Sequence, residues 1–262
     1  MLNFNGSSYQ KKKEDELNYY KQPQNEGGIF RRILRNPLFY SSDRILFNYI
    51  FPKEQMAGVL QSRIIDDKVD NLLNAPCGTG DDYKYIGTMA KNVYGVDLSP
   101  IALKECPGQM NITIGDVLQL PFSDSKFDAV VSPLFFHHLM RFGFVPFLKE
   151  FSRILKPGGQ IVILEPSIWY PVNIITRPIK KVFGNPFDEV EDERPFRPSY
   201  MLSSLQEAGF VNVGYQAASF SHPVFFKFLS KFVNAISGFF LRLWPIKNFA
   251  WMIVFHAEKG EG

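Results

Sequence analysis

Three short stretches of the chain carry side chains that can hold a single ligand. Asn74-Ala75-Pro76-Cys77-Gly78-Thr79-Gly80-Asp81 closes an apolar run and opens a helical one. Glycines at a strand-to-helix turn let the backbone approach a ligand closely, and the helix start that follows favours negative charge such as a carboxylate. A plain tight turn would use the same residues. A dinucleotide fingerprint places its third glycine at position 83, where this chain has Tyr83, which counts against nicotinamide and flavin ligands. Asp97 ends the next apolar run. A carboxylate roughly 20 residues after the glycine turn can accept both hydroxyl protons of an adenosine ribose, or it can cap the helix that starts near Ser99. Asp116, followed by Val117, ends the third run. An acid beside a backbone N–H can read the exocyclic amine and ring nitrogen of adenine, or it can be an ordinary turn residue. In order, the three features point to an adenosine joined to an anionic group.

Such residues need a scaffold that brings strand ends together. Short apolar runs occur at Val69 to Ala75, Asn92 to Asp97, Ile112 to Asp116, Phe127 to Ser132 and Gln160 to Glu165. Helical stretches lie between them, among them Ser99 to Glu105 and Pro146 to Leu155, the latter stopped by Lys156-Pro157-Gly158-Gly159. A further helix at Ser199 to Ala208 and runs at Val211 to Gln216 and Ala250 to His256 complete the pattern. Regular alternation of this kind predicts an open, mostly parallel α/β sheet covered on both faces, with ligands at the carboxyl ends of its strands. Ahead of it, residues 1–28 read as a mobile or weakly helical lead-in that adds little core. Apolar clusters from Ile29 to Ile64 predict two or three short helices, with Pro37 interrupting the first, Ser42 capping one and Pro52 starting the next.

With these motifs in order, the chain resembles the class I S-adenosylmethionine-dependent methyltransferases, in the broad group that includes the quinone and small-molecule methyltransferases. The resemblance runs from about Asp70 to Ser167. It rests on the turn Asn74 to Gly80, on Asp97, on Asp116-Val117, on Phe127-Asp128-Ala129-Val130-Val131-Ser132, and on Leu155-Lys156-Pro157-Gly158-Gly159. It implies a Rossmann-like seven-stranded sheet with helices on both faces, the last strand antiparallel. It implies S-adenosyl-L-methionine as cofactor, held by Asn74, Ala75, Pro76, Cys77, Gly78, Gly80, Asp97, Leu98, Asp116, Val117 and Ser132. Two positions depart from the family pattern. Asn74 stands where the family has an acid, and Pro76 replaces the first glycine, which removes one N–H and stiffens the loop. The family also carries one or two histidines after the fourth strand, here His137 and His138. His137 is the candidate base, since its unperturbed pKa lies near neutrality. The pair lacks carboxylate or cysteine partners at ligand spacing, so no metal site is expected.

Composition narrows the reading further. The 262 residues suffice for a full core without disulfide or metal support, and 29 basic against 26 acidic side chains give a net charge of +3, too balanced to predict a nucleic-acid partner. The motif Ser132-Pro133-Leu134 lacks the second proline that base-amine methylation would call for. Two cysteines, a polar start and no long apolar stretch lead us to expect a cytoplasmic protein. The unusual number is 26 Phe, more than a core alone usually requires. They point to an apolar or lipid-linked small-molecule acceptor, closed in by residues 1–64 as a helical cap and by insertions at 166–198 and 220–249 of a methyltransferase domain at 65–262. The second insertion carries Phe225, Phe226, Phe228, Phe232, Phe239, Phe240 and Trp244, and Lys227, Lys231, Asn234 and Gly238 recur at helical spacing. Such a helix suits a membrane interface, a lid over a greasy acceptor, or packing on the protein's own body. The alternatives to an enzyme on a small molecule are a non-catalytic cofactor-binding scaffold and, third, a nucleic-acid methyltransferase.

Overall fold

A computed structural model describes residues 6–19, 42–64, 69–172, 194–222, 225, 227–241, 243 and 245–261. The expected helices around Leu34 and Leu38, the aromatic pair Phe183 and Phe187, and the acidic stretch 188–193 lie outside the described residues.

Seven strands form one sheet: β1 (Val69–Asn74), β2 (Ala90–Asp97), β3 (Asn111–Ile114), β4 (Phe127–Pro133), β5 (Leu155–Pro166), β6 (Phe210–Ser219) and β7 (Met252–Lys259). Their order is β3-β2-β1-β4-β5-β7-β6, with β7 antiparallel to both neighbours. The chain reverses its direction of travel across the sheet between β1 and β4, so the carboxyl ends of those strands flank the crevice where α/β sheets take ligands. Burial alternates along each central strand: Leu73, Val130 and Ile161 belong to one apolar cluster, and Leu72, Val131 and Val162 to the other. Both faces are therefore covered, which is why these strands read as nearly unbroken apolar runs.

The helices are α1 (Gly6–Tyr19), α2 (Ser42–Gln61), α3 (Tyr83–Ile86), α4 (Pro100–Leu103), α5 (Val145–Ile154), α6 (Pro198–Glu207) and α7 (Lys227–Phe240). On one face α5 buries Phe147, Leu148, Phe151 and Ile154, an i, i+1, i+4, i+7 set that makes one continuous stripe. On the other face α2 buries Met56, Val59 and Leu60. Three expectations need correction. Pro52 does not start a helix but sits inside α2, because packing of that long helix on the sheet outweighs the one backbone hydrogen bond proline removes. The segment Lys156-Pro157-Gly158-Gly159 lies within β5, where the register against β4 shifts between Phe127 and Ala129. The lead-in forms α1, and its Tyr9 is buried in the main apolar cluster.

Phenylalanine also has a plainer role than expected. Phe127, Phe136, Phe142, Phe144, Phe147, Phe151, Phe196, Phe210 and Phe255 are buried. Several meet edge to face, such as Phe122 with Phe127 at 5.0 Å and Phe136 with Phe144 at 5.1 Å between ring centres. Much of the surplus is core after all. Phe151→Ala should lower the unfolding free energy by about 3–5 kcal/mol, read from guanidinium denaturation, since the buried ring leaves a cavity the sheet cannot close; a loss under about 1 kcal/mol would mean the stripe repacks.

Candidate active site

Carboxylates at the strand ends organise their own turns. Asp97 accepts the Gly78 N–H on Oδ2 at 2.9 Å and the Ser99 N–H on Oδ1 at 2.8 Å, so it ties the glycine turn to the end of β2. It does not cap α4; Ser99 does, accepting the Ala102 N–H at 3.2 Å. Gly78 and Gly80 have φ of 51° and 74°, a left-handed turn that a side chain would strain. A Cβ on Gly80 would also come within 2.7 Å of Pro107. The helix after this turn is a single turn that begins beside Asp81 and Asp82, so it offers a carboxylate less than expected. The local cation is instead Lys53 of α2, paired to Asp82 at 2.8 Å.

Asp116 receives the N-terminal helix. Its Oδ1 accepts the Tyr9 hydroxyl at 2.6 Å and the Leu118 N–H at 2.9 Å, and its Oδ2 the Lys13 ammonium at 3.0 Å. Tyr9 and Lys13 stand four residues apart, on one face of α1. Burial, followed by Asp116, pushes the Tyr9 phenol upward, so it stays a donor. Its ring packs edge to face on Phe142 at 5.3 Å and Phe147 at 5.5 Å. Nothing local in the lead-in signals this docking beyond the Tyr9, Lys13 spacing.

A cleft of about 350 Å³ opens between these groups. Pro76, Cys77, Gly78, Asp97, Leu98, Asp116 and Val117 line it, with Lys53 and with Tyr9, Lys12, Lys13 and Leu17 of α1. Leu134, Phe135, His138 and Leu139 also line it, and Leu134 holds a φ of 56°, an uncommon backbone state of the kind that clusters at functional sites. Asn74, Ala75, Gly80, Ser132 and His137 stand outside this lining. The Asn74 amide and the Ser132 hydroxyl are buried with no hydrogen-bond partner among the described residues. The Cys77 thiol is pushed up by burial first and by Cys106 and Asp97 next, so it stays protonated and poorly nucleophilic.

The wall after β4 hangs on Glu165, which the sequence reading passed over. This buried carboxylate accepts the N–H groups of Phe135 at 2.7 Å, Phe136 at 2.6 Å and His137 at 3.3 Å, and pairs with His137 Nδ1 at 2.7 Å. Its signal was an acid at the end of the apolar run of β5. Glu165→Gln should cost about 1–3 kcal/mol in a denaturant titration: the amide oxygen can keep two N–H partners, but the charge-assisted bonds weaken. Full stability in that variant would leave the turn without its proposed support.

His138 behaves differently. Burial first, then His137 and Lys12, push its imidazole down to about 2. The unfolded chain titrates near 6.5, so below about pH 6.5 it takes up a proton that the folded chain refuses, and stability falls with falling pH by up to about 1.4 kcal/mol per unit. His256, pushed down to about 4 by burial and Arg63, adds to the same slope. His138→Gln should flatten, without abolishing, the fall in unfolding free energy between about pH 6 and about pH 4 in urea titrations. An unchanged slope would mean that the ring charges in the folded protein.

The methyltransferase-domain family model matches residues 73–163. A demethylmenaquinone methyltransferase of Bacillus licheniformis is 29% identical over 66% of this chain and 88% of its own length. Among solved structures, an S-adenosylmethionine-dependent methyltransferase of Thermotoga maritima aligns with TM-score 0.58 at 17% identity, covering 88% of this chain and 98% of the other. Phosphoethanolamine N-methyltransferase 2 of Haemonchus contortus, in complex with S-adenosyl-L-methionine, aligns with TM-score 0.55 at 16% identity, covering 91% and 61%. These likenesses agree with the strand order and the turn motifs: the chain carries a methyltransferase domain and has the fold of S-adenosylmethionine-dependent methyltransferases.

Proposed function

We propose that this enzyme moves the sulfonium methyl of S-adenosyl-L-methionine to an apolar small molecule of quinone type. The observation that carries the reading is a cleft lined by both carboxylates and apolar side chains: Asp97 and Asp116 together with Leu17, Leu134, Phe135 and Leu139. The bacillus relative, whose name states a demethylmenaquinone as its acceptor, supports the same class.

The residues present fit the cofactor. Asp97, which accepts from Gly78 and Ser99, lines the cleft as a carboxylate of the kind that accepts ribose hydroxyls. Gly78 and Gly80 keep side chains away from the turn, and the buried Asn74 amide just before it supplies both a donor and an acceptor for an amino-acid end. Val117 lines the cleft beside Asp116, where an adenine would sit, and Asp116 also holds α1 at the cleft, which supports a capping role for the N-terminal segment. When bound, the cofactor supplies an electrophilic methyl carbon. The chain's own contribution is to hold the acceptor in line with it and to keep water out. His138 is a poor proton acceptor, its basicity suppressed by burial. His137 is tied to Glu165 behind the wall and is assigned the positioning of the turn from Leu134 to Leu139. Acceleration then rests on proximity and desolvation, which suits an acceptor whose own hydroxyl or activated carbon is nucleophilic.

Calorimetry with S-adenosylhomocysteine tests the cofactor half. Wild type should bind, and Asp97→Ala should weaken binding by about 100-fold, the worth of two charge-assisted hydrogen bonds. Transfer of labelled methyl to a short-tailed demethylmenaquinone analogue, and not to small hydrophilic amines, tests the acceptor half; labelling of the amines alone would overturn the apolar reading.

A further inference from the structure

The helix α7 is inside out. At 100° per residue, Phe228, Phe232 and Phe239 fall within about 40° of one another. They are 74%, 62% and 67% exposed. On the opposite side Ser230 and Ser237 are 0% and 1% exposed. The polar stripe faces the protein. Ser219 Oγ donates to Asn234 Oδ1 at 3.4 Å, and Ser237 donates to the Val233 carbonyl of its own helix at 2.6 Å. Burying serines and exposing phenylalanines reverses the ordinary sign of an amphipathic surface helix. Its outer face is continued by Ile246 and Phe249, both exposed.

We propose that this face docks on an anionic lipid bilayer. The charge of the segment chooses the occupant. Between Glu207 and Glu258 there is no acidic residue, while Lys227, Lys231, Arg242 and Lys247 are present. Lys227 and Lys231 are exposed along the flank of the phenylalanine face, where long stems can follow the rings and keep the ammonium at headgroup level. A second copy of the chain is a poor occupant. A two-fold contact sets the same patch against itself, and this patch holds cations with no acid to answer them. Among the described residues no helix is long and apolar enough to cross a membrane, so the contact is with the surface of the bilayer. The helix connects the carboxyl end of β6 to the start of β7, on the same edge of the sheet as the cleft. A bilayer at this face would therefore lie beside the opening through which an apolar acceptor must enter. The docking itself does not depend on what the acceptor is.

The test is flotation of the full chain with vesicles of equal phosphatidylglycerol and phosphatidylcholine, and with phosphatidylcholine alone. Wild type should float with the anionic vesicles, and raising salt from about 0.1 M to about 1 M should weaken it. A Phe232→Ser, Phe239→Ser double variant and a separate Lys231→Glu variant should each lose about tenfold or more in partitioning. Both should still bind S-adenosylhomocysteine as wild type does. No flotation of wild type, equal flotation on neutral vesicles, or unchanged flotation of the double variant would overturn the proposal. So would a concentration-dependent dimer that the double variant dissolves. Flotation with no nucleoside binding would sustain this proposal and defeat the cofactor reading.

Discussion

A parallel sheet brings several backbone N–H groups to one edge and leaves them without a strand partner, and this chain answers them with carboxylates. Glu165, fully buried, gathers three N–H groups of the turn after β4. Asp97 joins the glycine turn to the end of β2, and Asp116 holds the Leu118 N–H together with two side chains of α1. A buried anion is tolerable only when hydrogen-bonded, and these are. The shape of the cleft follows from them. Without the Glu165 bonds, Leu134 would have little reason to keep its left-handed backbone, and the apolar wall would lose its position.

The same groups hold the turns and line the cleft. Asp97 cannot be read as structural or functional alone, because the carboxylate that fixes the glycine turn also faces the cleft. Asp116 adds a constraint: the helix α1, which lines the cleft, is fastened to this carboxylate. The cations of the cleft, Lys12, Lys13 and Lys53, come from α1 and α2 and not from the sheet.

The aromatic surplus divides into two populations with opposite surroundings. The rings from Phe127 to Phe151 interlock edge to face beneath α5, where they fill volume. Those of α7 stand outward on a helix whose serines Ser230 and Ser237 are buried and whose Asn234 meets Ser219. Composition sees one number because burial is not a property of a residue type.

The sequence by itself determined the strand runs, their order of occurrence, the glycine turn and the acids that end β2 and β3. Each of these is a local matter of apolar period and turn chemistry over a few residues. Tertiary structure decided which partners those residues take. Glu165 meets a turn about thirty positions earlier in the chain, and Asp116 meets a helix more than a hundred positions away, separations no local pattern encodes. It also decided that α2 runs through Pro52, because burial of its apolar stripe outweighs one lost backbone bond. It decided which side of α7 faces in. An amphipathic wheel states only that two sides differ; the orientation is set by whether the neighbouring surface offers hydrogen bonds or apolar area. Here Ser219 offers a hydrogen bond to Asn234, Ser230 and Ser237 are buried, and the phenylalanines are left outside.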